Sequence, residues 1–111
     1  MYVNKGAIDD DLVQSIALPA ASSRDAPEVF YRVITAKGAP MNRLLDGLNG
    51  EMPLLLLWGD KDPWCVPARA TQIQAHYPRA ERVDLDSGHC PHDDTPEEVN
   101  RELLRWVSAL P

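Results

Sequence analysis

With 111 residues, 44% of them apolar, the chain suits one small globular domain. Its formal charge of −6 argues against a nucleic-acid role, which needs clustered basic residues to neutralise phosphates, and it has no run of about 18 apolar residues to span a bilayer. The opening MYVNKGAIDDD lacks the zones of a secretory signal, and Cys65 and Cys90 do not make a disulfide framework, so a reduced compartment, cytoplasmic or plastid-like, is expected over secretion.

In chain order, Ile8, Leu12, Val13 and Ile16 follow helical spacing behind Asp9, Asp10 and Asp11, whose charge suits a helix N-terminus. A second helix is expected to open on Pro27 and carry Val29, Phe30, Val33 and Ile34 as an apolar stripe, with Gly38 and Pro40 ending it. A short third helix carries Met41, Leu44, Leu45 and Leu48. Such stripes are ordinarily core surface. After Gly50 the pattern changes. Leu54, Leu55, Leu56, Leu57 and Trp58 are apolar on consecutive residues and stop abruptly at Gly59, Asp60, Lys61, Asp62 and Pro63, which fits a strand of a parallel sheet.

Pro67 then permits a helix through Ala70, Ile73 and Tyr77, and Arg82 to Asp86 alternates as a second strand. A capping box, Thr95 to Glu98 with Pro96 at the first helical position, opens a terminal helix bearing Val99, Leu103, Trp106, Val107 and Leu110. The fold class expected is therefore α/β, with two parallel strands and flanking helices. One region covers residues 1–50 and a β-α-β-α region covers residues 51–111. The first strand should be central, yet this chain offers it a partner on one side only, leaving a bare apolar edge of the kind natural folds cover. The arrangement is thus incomplete on its own.

Functional groups on parallel sheets gather past the carboxyl ends of strands, and both polar clusters lie there. Asp60 and Asp62 follow the first strand, and Gly88, His89, Cys90, Pro91, His92, Asp93 and Asp94 follow the second. A carboxylate and an imidazole that meet at one rim are the acid and base of triad chemistry. Asp60 or Asp62 could supply the acid, and His89 or His92 the base. His92 with Asp93 or Asp94 is expected to hydrogen-bond within the loop that orients His89. Trp64 is a candidate wall of an apolar substrate pocket, and Trp58 and Trp106 are core or site-wall residues. The string H-C-P-H-D-D also offers metal-ligand types, but Cys65 and His76 do not supply the spaced second cluster that zinc sites use, so no metal is expected.

The string WGDKDPW, a helix ending in YP, a strand and then GHCPHDDTPEEVN together resemble the C-terminal third of the α/β-hydrolase family, and within it esterase-like members of the pheophytinase type, whose tails read GHCPHDE. The resemblance covers residues 52–107 best; residues 1–50 look like helices leading back from a lid region. It implies that Asp62 in its G-x-x-D setting and His89 in its G-H setting are the triad acid and histidine, in the order Ser, Asp, His. It implies an ester-like small-molecule substrate, acyl-enzyme chemistry and no cofactor. An aspartate nucleophile, as in epoxide hydrolases and dehalogenases, keeps the same acid and histidine. The chain departs from the family in having no G-x-S-x-G elbow and no glycine-rich oxyanion loop. Ser15, Ser22, Ser23, Ser87 and Ser108 all lack elbow surroundings. The missing N-terminal half of the core is the expected partner, covalent or docked, and the 111 residues alone are expected to be inactive. The alternative is a noncatalytic fragment or degenerate hydrolase that binds.

Overall fold

The computed structural model describes residues 1–38 and 40–111. They form two compact units, one of Met1–Ala7 with Pro40–Pro111 and one of Ile8–Ala39. The smaller unit is a pair of helices, α1 (Asp10–Ser22) and α2 (Ala26–Thr35). Asp9 caps α1 by accepting the Leu12 amide at 2.8 Å, as the acidic start foretold. The helix continues through Pro19, further than the Ile8–Ile16 pattern suggested. Pro27 sits in the first turn of α2, where its missing N–H costs nothing.

The reading of these stripes as core surface is corrected. No residue of α1 or α2 is buried, and Phe30 and Val33 are 66% and 68% exposed. The physical reason is size: two helices of this length cover at most one face of each other, and α1 and α2 leave an open apolar depression lined by Ile16, Val29, Phe30 and Val33.

In the larger unit, a one-turn 3₁₀ helix at Lys5–Ala7 precedes α3 (Met41–Asp46), β1 (Leu54–Gly59), α4 (Pro67–His76), β2 (Ala80–Leu85), α5 (Pro91–Asp94) and α6 (Pro96–Ser108). Asn49 and Gly50, both at positive φ (53° and 68°), turn the chain between α3 and β1; glycine meets that requirement without a Cβ penalty. The strands pair in parallel, with Leu54 opposite Ala80 and Gly59 opposite Leu85, and α4 is the crossover. β2 begins two residues earlier than the alternation of Val83 and Leu85 indicated. Leu54–Trp58 are half-buried, consistent with a strand paired along one edge among the described residues. A small core of Leu45, Tyr77 and Ala80, packed against Leu54, Leu56 and Ile73, anchors the end of the sheet where both strands start, and the Tyr77 hydroxyl donates to Met52 O at 2.6 Å.

The expected capping box at α6 does not form. Thr95 ends α5 as well as opening α6, so its amide donates to Pro91 O at 2.9 Å and its hydroxyl leans on the same carbonyl at 3.4 Å. Its Oγ1 is thereby turned from the α6 amides. The loop after β2 was read without helix, and α5 is the turn that links it to α6.

At the other end of the sheet, the backbones leaving β1 and β2 nearly touch. Asp60 N donates to Leu85 O at 2.9 Å and Lys61 N to Ser87 O at 3.1 Å. A Cβ at Gly59 would run into the Gly88 carbonyl oxygen and stand 2.7 Å from that of Ser87. Gly59→Ala should therefore lower the denaturant midpoint by the equivalent of about 1–3 kcal/mol. Gly38→Ala, whose Cβ meets nothing within 4 Å, should stay within about 0.5 kcal/mol. Equal midpoints for the two variants would show that the close approach is not a constraint.

Candidate active site

The acid loop is built by its own backbone. Asp62 Oδ1 accepts the amides of Trp64 at 2.8 Å and Cys65 at 3.0 Å, and Trp58 Nε1 donates to Cys65 O at 2.7 Å, fastening the loop to the end of β1. This is the local turn chemistry that Asp favours, here with the side chain buried at 7% exposure. The other oxygen, Oδ2, lies 2.8 Å from His89 Nδ1. Asp60, the competing acid, is exposed.

Burial of the Asp62 carboxyl would raise its pKa, but the Cys65 amide, the His89 ring and the Trp64 amide together outweigh burial and hold it below the usual carboxylate value. An ionised, fixed carboxylate on Nδ1 selects the tautomer with the proton on that nitrogen and leaves Nε2 bare. Among the described residues Nε2 has no hydrogen-bond partner. The indole of Trp64 stands edge-on to the imidazole, with ring centroids 4.8 Å apart at 69°. A cavity of about 190 Å³ opens at the pair, lined by Leu57, Trp58, Cys65 and Pro91.

A second imidazole–carboxylate pair, His76 Nε2 and Asp46 Oδ1 at 2.8 Å, borders a larger depression of about 420 Å³. Volume does not decide between them. The Asp46 side chain is 66% exposed, so solvent screens the pair, whereas Asp62 is enclosed and oriented by three donors.

His92 and Asp93, expected to hydrogen-bond within the loop that carries His89, do meet there, at a separation longer than a hydrogen bond. They face one another at 3.6 Å, His92 is largely exposed, and Asp93 accepts the Tyr2 hydroxyl at 2.9 Å. Burial and the bonds to Asp93 and Cys90 push the Tyr2 phenol pKa up. The carboxylate that bonds to the backbone beside His89 is Asp94, 1% exposed, which accepts the amides of Gly88 at 2.7 Å, Asn4 at 2.7 Å and Val3 at 2.9 Å. Residue type alone marks Asp94 only as one of two possible acceptors for a ring. Of the amides it serves, Gly88 is six residues away but those of Val3 and Asn4 are about ninety residues away in sequence, so no local pattern marks the clamp. Ser87 is fully buried and its Oγ has no partner among the described residues, so it does not present a nucleophile.

Two groups of metal-ligand types come together, Asp62 with Cys65 and His89, and Cys90 with His92 and Asp93, each within 4.8 Å. In the first, both Asp62 oxygens are already satisfied by the amides and the imidazole. Cys65 and Cys90 are free thiols. No helix among the described residues is long and apolar enough to cross a membrane.

No protein-family model matches the chain. Among curated proteins it is similar to the chloroplastic pheophytinase of Arabidopsis thaliana, 27% identical over 112 residues that take in 97% of this chain and 22% of that protein. The chain thus spans 22% of the length of the curated relative it matches. That likeness, though distant, is to a hydrolase, and the two parallel strands with flanking helices are compatible with part of an α/β-hydrolase core.

The Asp62 pKa, like that of Asp94, is lowered, so each carboxylate contributes stability that is full above the ordinary carboxylate range near about pH 4 and is lost as pH falls through the folded-state value. Asp62→Asn should cost about 1–3 kcal/mol at neutral pH. It should also flatten the acid limb of the stability profile below about pH 4. Denaturant melts across this range check it; a variant profile parallel to wild type would contradict the assignment.

Proposed function

We propose that this chain supplies the acid and the base of a serine-type α/β-hydrolase that cleaves an ester-like bond. The observation that carries the reading is the enclosed Asp62–His89 pair, with Nδ1 on the carboxylate and Nε2 free toward a small apolar-walled cavity. On this reading residues 51–111 are the C-terminal β-α-β-α of the core and residues 1–50 lead back to it from a lid region. The nucleophile is a serine outside these 111 residues. The free edge of β1 and the exposed Leu104 and Val107 of α6 are the surfaces that the remaining core would cover, as a covalent or docked partner.

The chemistry follows from the pair. His89 Nε2 takes the proton of the serine hydroxyl as its oxygen bonds to the substrate carbonyl carbon, and Asp62 stabilises the imidazolium that results. The imidazolium returns that proton to the leaving alcohol as the ester C–O bond breaks, giving the acyl-enzyme. A water then delivers its proton to Nε2 and its oxygen to the acyl carbon, and the serine oxygen leaves with the same proton. Trp64, edge-on to His89 and 61% exposed, is positioned to wall the apolar part of the substrate. The relative's name makes pheophytin the first substrate to try.

In the complete gene product, His89→Ala should lower kcat on an activated short-chain ester by on the order of 10⁴-fold, and Asp62→Asn by a comparable factor, with the fold retained. A fluorophosphonate probe should label a serine outside these 111 residues. Full activity in His89→Ala would remove the reading.

A further inference from the structure

We propose that Asp94 is a positioning residue for His89: it clamps the segment Met1–Asn4 against the histidine loop, so that the imidazole meets Asp62 only when that segment is seated. This rests on the hydrolase reading and extends it to how the base is held.

The clamp is made almost wholly of backbone. Asp94 Oδ2 accepts the amide of Gly88, the residue before His89, at 2.7 Å and that of Val3 at 2.9 Å. Oδ1 accepts Asn4 N at 2.7 Å and Val3 N at 3.0 Å, and Asn4 returns a bond through Nδ2 to Asp94 O at 3.2 Å. The amide of His89 itself donates to Met1 O at 2.9 Å. Both peptide groups flanking Gly88 are therefore fixed, the one leading into His89 directly by Met1 and the other by the carboxylate that also holds Val3 and Asn4. The fit is close: a Cβ at Gly88 would strike the Met1 carbonyl oxygen and lie 3.3 Å from Asp94 Oδ2.

Asp94 is nearly inaccessible, and its charge is matched by these backbone donors, which together overcome burial to keep it ionised. A carboxylate can receive donors on both oxygens, whereas the isosteric amide of asparagine turns an NH₂ toward either the Gly88 side or the Asn4 side. One half of the clamp must then open. The side chain never touches His89 or a substrate, so it acts through backbone position alone, and the hydrogen bond it protects is the 2.8 Å contact of His89 Nδ1 with Asp62.

The test is long-range ¹H–¹⁵N NMR of the histidines in the complete gene product. Wild type should show His89 fixed as the Nδ1–H tautomer, with a slowly exchanging, downfield Nδ1 proton. Asp94→Asn should lose that proton signal and average the tautomers, and Val3→Pro, which deletes one donor to Asp94 and leaves the carboxylate in place, should do the same. His76, paired with Asp46 at the other end of the sheet, reports the fold and should be unchanged in both. Unaltered His89 signals in the two variants would overturn the proposal. Loss of the His76 signals along with those of His89 would also overturn it, by making Asp94 a support of the fold at large. A wild-type chain lacking the fixed tautomer would bring down the Asp62–His89 pair itself, and with it the hydrolase reading; that result differs from a failure confined to the variants.

Discussion

The candidate site depends on the closeness of two backbones. Gly59, the last residue of β1, lies against the carbonyls of Ser87 and Gly88 at a distance no side chain would permit. Parallel pairing of Leu54–Gly59 with Ala80–Leu85 puts the ends of both strands at one rim, and the missing Cβ lets the outgoing loops lock through the Asp60–Leu85 and Lys61–Ser87 hydrogen bonds. Only then can a carboxylate three residues past one strand and an imidazole four residues past the other stand 2.8 Å apart. The small core around Leu45, Tyr77 and Ala80 secures the opposite end of the same two strands.

Electrostatics follow from that geometry. An aspartate taken out of water would resist ionisation, yet Asp62 is surrounded by donors that favour the charge more than burial opposes it. The amides of Trp64 and Cys65 are fixed by the turn, so the carboxylate needs no reorganisation when the imidazole becomes charged, which is the condition under which such a group stabilises a transition state best. Trp64 stands edge-on to the imidazole, whose Nε2 has no partner among the described residues. The same logic recurs at Asp94, where a buried charge is matched entirely by backbone N–H groups.

Much of this was legible in the sequence, and the exceptions have physical causes. The consecutive apolar run Leu54–Trp58 and its abrupt stop marked β1, because few other contexts tolerate five apolar residues ended by Gly-Asp-Lys-Asp-Pro. Residue type and position past the strand ends left Asp60 or Asp62 and His89 or His92, the family resemblance pointed to Asp62 and His89, and the structure brings those two side chains together. Asp94 was not singled out because its partners are main-chain amides of Val3, Asn4 and Gly88, and a backbone donor leaves no trace in residue identity. The Thr95–Glu98 capping box failed for a related reason: the motif is local, but Thr95 is shared with α5, whose presence a four-residue segment gives no periodicity to reveal. The stripes of α1 and α2 showed that those helices are amphipathic; periodicity is silent on what covers the apolar face.

On the proposed reading, Asp62 and His89 are two members of a catalytic set whose third member lies elsewhere in the protein. The most direct measurement is a crystal structure of the complete gene product inactivated by a phosphonate ester. The account predicts a phosphonylated serine with its Oγ within about 3 Å of His89 Nε2, while Nδ1 stays on Asp62. A modified residue remote from His89, or an Nε2 that faces no nucleophile, would contradict it.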